Sequence, residues 1–173
     1  MVVRRLISLW FVMLVVLSVP NGLAQTNSAT ATTTVSISIP AQVLVTQIEP
    51  FVLGNWSGAG PMSGEQAVCV WSSTGGYNIT ATTTEGGSRF SMLGANNRML
   101  DYSVHWNSGA GYQELVSGQS LAGQSTSSRS ADCSNGTEAS ERPFLKVLVA
   151  EADLDAAKAG AYSDVLEILI AVE

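Results

Sequence analysis

An all-β sandwich or barrel is the fold class that three features of the sequence predict. Beyond residue 24 the chain is rich in Thr, Ser, Val and Gly and poor in helical periodicity. Its apolar residues alternate with polar ones over short stretches, and turn residues separate those stretches. A period of two, interrupted at close intervals by Gly, Ser and Asn, is the pattern of half-buried strands.

The elements follow in chain order. Residues 32–45 place Val35, Ile37 and Ile39 in alternation with Ser36 and Ser38. Pro40 interrupts, and Val43 and Val45 resume. A Pro removes a ladder donor, so this is one kinked strand or two end to end. Residues 47–53 read as a short extended piece and 54–65 as a Gly-rich loop. Residues 67–72 form a strand carrying Cys69 and Trp71, and 73–76 a hairpin turn. In 77–83, Tyr77, Ile79 and Ala81 share one face and Asn78, Thr80 and Thr82 the other. A turn at 85–88 and a short strand at 90–93 come next. Residues 99–106 put Leu100, Tyr102, Val104 and Trp106 on one face, opposite Asp101, Ser103 and His105, before a turn at 107–111. Residues 117–142 are mostly small, polar or charged, the composition of a surface loop holding a weak edge strand. A strand at 143–149 follows. Residues 151–160 suggest one helical turn capped by Asp153 and stopped by Gly160.

The last strand, 162–172, has Tyr162, Leu166, Ile168, Ile170 and Val172 on one parity. Leu169 and Ala171 make its other face partly apolar, as in a strand buried on both sides. After it comes only Glu173, so no further segment is expected to cover its neighbour position. An open edge needs a cover. Two covers fit: the N-terminal strand of the same domain, which the pattern alone favours, or a strand from a neighbouring subunit. The second is a head-to-tail contact and generates filaments.

The start of the chain points to export. Arg4 and Arg5 precede an apolar run of 14 residues, Leu6 to Val19, and then Gly22-Leu23-Ala24. A charged start, a short apolar run and small residues at a cleavage point make a secretory signal peptide over residues 1–24. The run is shorter than the roughly 20 residues of a spanning helix. Residues 25–40 are then a lead with the alternating segment, and 41–173 one β domain.

Composition limits the partners. Without Arg4 and Arg5 the chain keeps six basic against fourteen acidic residues, a formal net of −8. It has no basic stripe to neutralise phosphates, so nucleic acid is not an expected partner. Cys69 and Cys133 lie in the exported part, where one disulfide is the default. It would close a loop of about 65 residues, worth about 4 kcal/mol in the chain-entropy model. A single His, His105, and the absence of a close Cys pair argue against a metal site, and no cofactor is expected.

The run Ala159-Gly160-Ala161-Tyr162-Ser163-Asp164-Val165-Leu166, continuing in alternating hydrophobics to Val172, resembles the terminal strand of spore-coat-protein-U-like domains. These include subunits of archaic chaperone–usher pili. The leader, the Thr-rich lead and the loop holding Leu53-Gly54-Asn55-Trp56 are similar as well. The resemblance implies an immunoglobulin-like Greek-key β-sandwich, incomplete and completed by strand donation. It implies a periplasmic chaperone, an outer-membrane usher and neighbouring pilus subunits as partners, with an extracellular or cell-surface end state. Val35, Ile37 and Ile39 would be the donor side chains. Tyr162, Leu166, Ile168, Ile170 and Val172 would line one edge of the acceptor groove. One difference is that the segment 35–45 has no Cys to bridge to a nearby second strand.

Other function classes have thinner support. A Ser nucleophile needs a positioned base, and no Gly-x-Ser-x-Gly occurs, so no catalytic residue is assigned. A carbohydrate-binding module is the stronger rival. Trp56 and Tyr112, if exposed side by side, would suit surface glycans. Trp106 shares parity with core residues and reads as core. The sequons at Asn55, Asn78 and Asn135 reflect the abundance of Asn, Ser and Thr.

Overall fold

A computed structural model describes residues 31–85, 87–126, 130 and 142–173. The expected leader (1–24), the beginning of the lead and Cys133 lie outside the described residues. The chain divides into two units, Met1–Ile37 and Ser38–Glu173.

The fold is all-β, an immunoglobulin-like sandwich of antiparallel strands. The strands are β1 (Val43–Thr46), β2 (Met62–Ala67), β3 (Cys69–Ser72), β4 (Gly76–Thr83), β5 (Ser91–Gly94), β6 (Arg98–Asp101) and β7 (Ser103–Asn107). After these come β8 (Gln113–Glu114), β9 (Ser120–Ser125), β10 (Phe144–Val149), helix α1 (Glu151–Ala156), β11 (Tyr162–Ser163) and β12 (Leu166–Val172). The ladders run β2-β10-β7-β8, β12-β4-β9, β11-β5-β6 and β1-β3.

Three extended runs, two of which alternation presents as continuous strands, each break and change partners. β2 pairs with β10, but after Val68 its continuation β3 pairs with β1. β6 pairs with β5, and past Tyr102 β7 pairs with β10 and β8. β11 pairs with β5, and past Asp164 and Val165 β12 pairs with β4. Strands that pass from one sheet to another form the corners of a sandwich. Side-chain parity carries through the bends at Tyr102 and Asp164, so alternation alone does not mark them.

The expected strand over 32–45 is reduced to β1, and residues 31–42 have no regular secondary structure. The expected loop at 54–65 ends earlier than its Gly content suggests, because β2 begins at Met62. Residues 47–53 are not in a ladder. Instead the Gln66 amide brackets Glu49, accepting from its N–H at 2.8 Å and donating to its carbonyl at 2.9 Å. The weak strand expected within 117–142 is β9, paired with β4. Helix α1 starts from Ala150 with no side-chain cap; Asp153 lies in its first turn beside Glu151, where negative charge complements the helix dipole.

The main core contains Val68, Val70, Tyr77, Ile79, Ala81, Val104, Trp106, Leu145 and Ile170. Trp106 is fully buried, as its parity predicts. Its indole N–H donates to the Tyr77 hydroxyl at 3.2 Å, and the rings meet edge-on with centroids 6.3 Å apart. A second cluster gathers Leu100, Val149 and Leu154, with Leu53, Trp56, Met62 and Tyr162 packed around it.

Candidate functional site

The last strand offers a free edge. β12 pairs with β4 from Leu166↔Thr83 to Val172↔Tyr77, and among the described residues it has no ladder partner on its other side. The terminal bonds set the phase. Thr84 N–H donates to the Val165 carbonyl and Glu173 N–H to the Gly76 carbonyl, each at 3.4 Å. In an antiparallel ladder, alternate residues direct both backbone groups to one neighbour. Odd-numbered residues of β12 therefore direct their backbone N–H and C=O groups to β4. Leu166, Ile168, Ile170 and Val172 direct their N–H and C=O groups to the free edge.

These same four residues turn their side chains toward the core side of the strand. Ile170 is 8% exposed, while Leu166 and Ile168 are only half-buried against the main core and Val172 is half-buried. The opposite face is open: Leu169 is 61% exposed. The expectation of a central strand buried on both faces is thus corrected. Among the described residues β12 is an edge strand, and the side chains of its odd-numbered residues point outward, with Leu169 left open.

β1 lies in contact with β12 but shares no ladder with it. It pairs with β3 from Val43↔Ser72 to Thr46↔Cys69, and Val43 and Val45 are half-buried against the same core. Two strands, each with one edge unpaired among the described residues, thus flank a line of incompletely covered core side chains. The Val43 and Val45 contribution was visible as alternation, but not its position beside β12, because pairing partners are not encoded in parity.

Four of the five expected groove residues are together on β12. Tyr162 is set apart on β11, where it pairs with Gly94 and donates its hydroxyl to the Lys158 carbonyl at 2.8 Å. The expected donor side chains are exposed: Val35 is 90%, Ile37 86% and Ile39 80% exposed. Cys69 is fully buried and is not a free thiol, and its expected partner Cys133 lies outside the described residues.

A carboxylate anchors the bend just before β12. Asp164 Oδ2 accepts from the Tyr102 hydroxyl at 2.7 Å and from the Thr83 hydroxyl. Its Oδ1 accepts from the Val165 N–H at 2.7 Å. Burial, and then the adjacent Asp164 carboxylate, push the Tyr102 phenol well above its ordinary pKa. Parity had marked Tyr102 only as a core-facing strand residue.

The two aromatic residues that could have made a glycan platform are in different settings. Trp56 packs in the second cluster, and its indole N–H donates to the Gly60 carbonyl at 2.9 Å. Tyr112 is 41% exposed, with the Lys146 ammonium 5.3 Å from its ring centroid. Burial, followed by the Glu65 carboxylate, raises its pKa to about 12. No helix among the described residues is long and apolar enough to cross a membrane.

No family model matches the chain, and no curated protein matches it. Among solved structures, it is similar in fold to a chain from the work titled "Chaperone-tip adhesin complex is vital for synergistic activation of CFA/I fimbriae biogenesis". The likeness has a TM-score of 0.50 at 15% identity and covers 77% of this chain. The chain spans 41% of the length of that neighbour.

Proposed function

We propose that this protein is an exported, non-catalytic subunit of a surface fibre or coat, polymerised by strand donation. The observation that carries the reading is the free edge of β12 over half-covered core side chains, in a chain whose lead holds exposed alternating hydrophobics. An incoming strand would pair with the backbone of Leu166, Ile168, Ile170 and Val172 and cover their side chains. Main-chain bonds would supply affinity and alternate side chains specificity. Val35, Ile37 and Ile39 have the spacing to do this for the next subunit. Before assembly a periplasmic chaperone would cover the same edge, and an outer-membrane usher would exchange one cover for the other. The fold-level likeness to a fimbrial chaperone–adhesin structure supports this family of roles, as does the resemblance to spore-coat-protein-U-like domains. The proposed Cys69–Cys133 bridge suits the oxidising periplasm on this route.

The test is a fusion. Residues 25–40 are appended by a flexible linker after Glu173 of the chain lacking residues 1–24. Strand donation predicts that the fusion is monomeric and unfolds at a higher denaturant concentration than the unfused chain, which self-associates. A stable unfused monomer that gains nothing from the fusion would sink the proposal.

A further inference from the structure

Tyr102 and Asp164 both sit where a strand changes sheets. Tyr102 separates β6 from β7, and Asp164 with Val165 separates β11 from β12. Strands bend at such corners, and the direction in which the next segment leaves depends on what holds the bend. Here one carboxylate holds both. Asp164 accepts from the Tyr102 hydroxyl, from Thr83 at the end of β4 and from its own neighbour Val165. Tyr102 is itself fixed at the backbone, its N–H donating to the Phe90 carbonyl at 3.0 Å, and its ring lies 5.6 Å from that of Phe90. The first ladder bond of β12, from Thr84 N–H to the Val165 carbonyl, forms directly beside this knot.

We infer that Asp164 is a positioning residue for the strand-acceptor edge, tying the β11–β12 bend to Tyr102 and Thr83 so that β12 presents its free backbone groups in register before any partner arrives. This rests on the strand-acceptor reading of β12. A preformed edge binds an incoming strand without first ordering itself, which removes part of the entropic cost of association. Relaxing the knot should therefore weaken strand capture more than it weakens the fold, because Tyr102 only borders the main core, whereas Trp106 and Tyr77 are fully buried within it.

The test uses the full exported chain made unable to donate by Ile37→Asn and Ile39→Asn, both at exposed positions. The probe is a fluorescent peptide with the native sequence of residues 31–42. Tyr102→Phe and Asp164→Asn are compared in this background, with hydrogen exchange read in parallel. The expected result is peptide affinity weakened about ten-fold in each variant, the scale of one hydrogen bond to a charged group. Core amides of β4 and β7 should keep their protection, while those of β12 exchange faster. The double variant should bind no worse than Asp164→Asn alone, since the contact that Tyr102→Phe removes is one of those that Asp164→Asn already disrupts. Unchanged affinity in both variants, or protection lost evenly across the sandwich, overturns the positioning role. A peptide that does not bind the chain with Tyr102 and Asp164 intact overturns the acceptor reading itself, and that control separates the two failures.

Discussion

Ile79 on β4 and Ile170 on β12 are register partners, and they are 0% and 8% exposed. This pair anchors the last strand to the core. Its neighbour Ile168 has the same parity but is only half-buried. The two isoleucines should therefore answer differently to truncation. Ile170→Ala should cost about 2–4 kcal/mol in the unfused chain and a similar amount in the fusion, since its burial precedes any donor. Ile168→Ala should cost clearly less in the unfused chain and more once the donor strand is fused. Denaturant titration of the four proteins checks this, and equal costs for Ile168 in both forms would count against an added strand covering it.

Alkali should weaken the sandwich in a defined window. Burial raises the Tyr77 pKa to about 12, against which its bond from Trp106 acts in the opposite direction. The unfolded phenol ionises near its ordinary value of about 10. Between these values the unfolded state has lost the proton that the folded state still holds, so stability falls as pH rises. The stabilisation is fully present below about pH 10 and is lost as pH passes about 12. Tyr102 is shifted in the same direction and adds to the effect. Phenolate absorbance and thermal unfolding, followed together, should show ionisation of Tyr77 coinciding with unfolding. Tyr77→Phe should flatten the alkaline slope. It also leaves the indole N–H of Trp106 without its acceptor, at a cost of about 1–3 kcal/mol near neutral pH.

The faces of the strands were legible because burial follows parity. Tyr77, Ile79, Ala81, Val104 and Trp106 all occupy the face their alternation assigns. The bends at Val68, Tyr102 and Asp164 were not legible. Alternation reports which side of a sheet a residue faces and is silent on which strand accepts its hydrogen bonds. The same limit explains the lead: Val35, Ile37 and Ile39 have a strand pattern but no ladder partner among the described residues, since the pattern does not say which strand, of which chain, would pair with it. On β12, the apolar Leu169 and Ala171 suggested burial on both faces, yet hydrophobic residues on a surface are common and one-sided evidence. The shared parity of Leu166, Ile168, Ile170 and Val172 was readable from sequence. The carboxylate knot at Asp164 was not, since its partners lie 62 and 81 positions away along the chain.

Gly94 should tolerate no side chain. A Cβ there would sit 2.7 Å from Tyr162 Cε1 and 2.8 Å from Cδ1. The ring is restrained by its hydroxyl bond to Lys158 and by the second cluster, so it cannot move aside freely. Gly94→Ala should cost about 1–3 kcal/mol, the usual range for overpacking. The companion change Tyr162→Leu should recover part of that loss. If Gly94→Ala is neutral in denaturant titration, the close approach of β5 and β11 is not as drawn.

Strand capture should be nearly blind to salt. Residues 25–40 contain no Asp, Glu, Lys or Arg, and the inward residues of β12 and β1 are aliphatic. The nearest acidic group on the strand, Glu167, is exposed on the outward parity. At about 0.15 M salt the Debye length is about 8 Å, so exposed charges elsewhere on this acidic domain act on the contact only weakly. An uncharged lead approaching a negative subunit is neither steered nor repelled, which sets the association rate by orientation alone. Peptide 31–42 should therefore bind the donor-deficient chain with an affinity that changes little between low and high sodium chloride. Chaotropic denaturants should weaken it instead, because they solvate the apolar and peptide groups on which the contact depends. A steep loss of affinity with salt would require charged groups at the interface and would move the docking site away from β12.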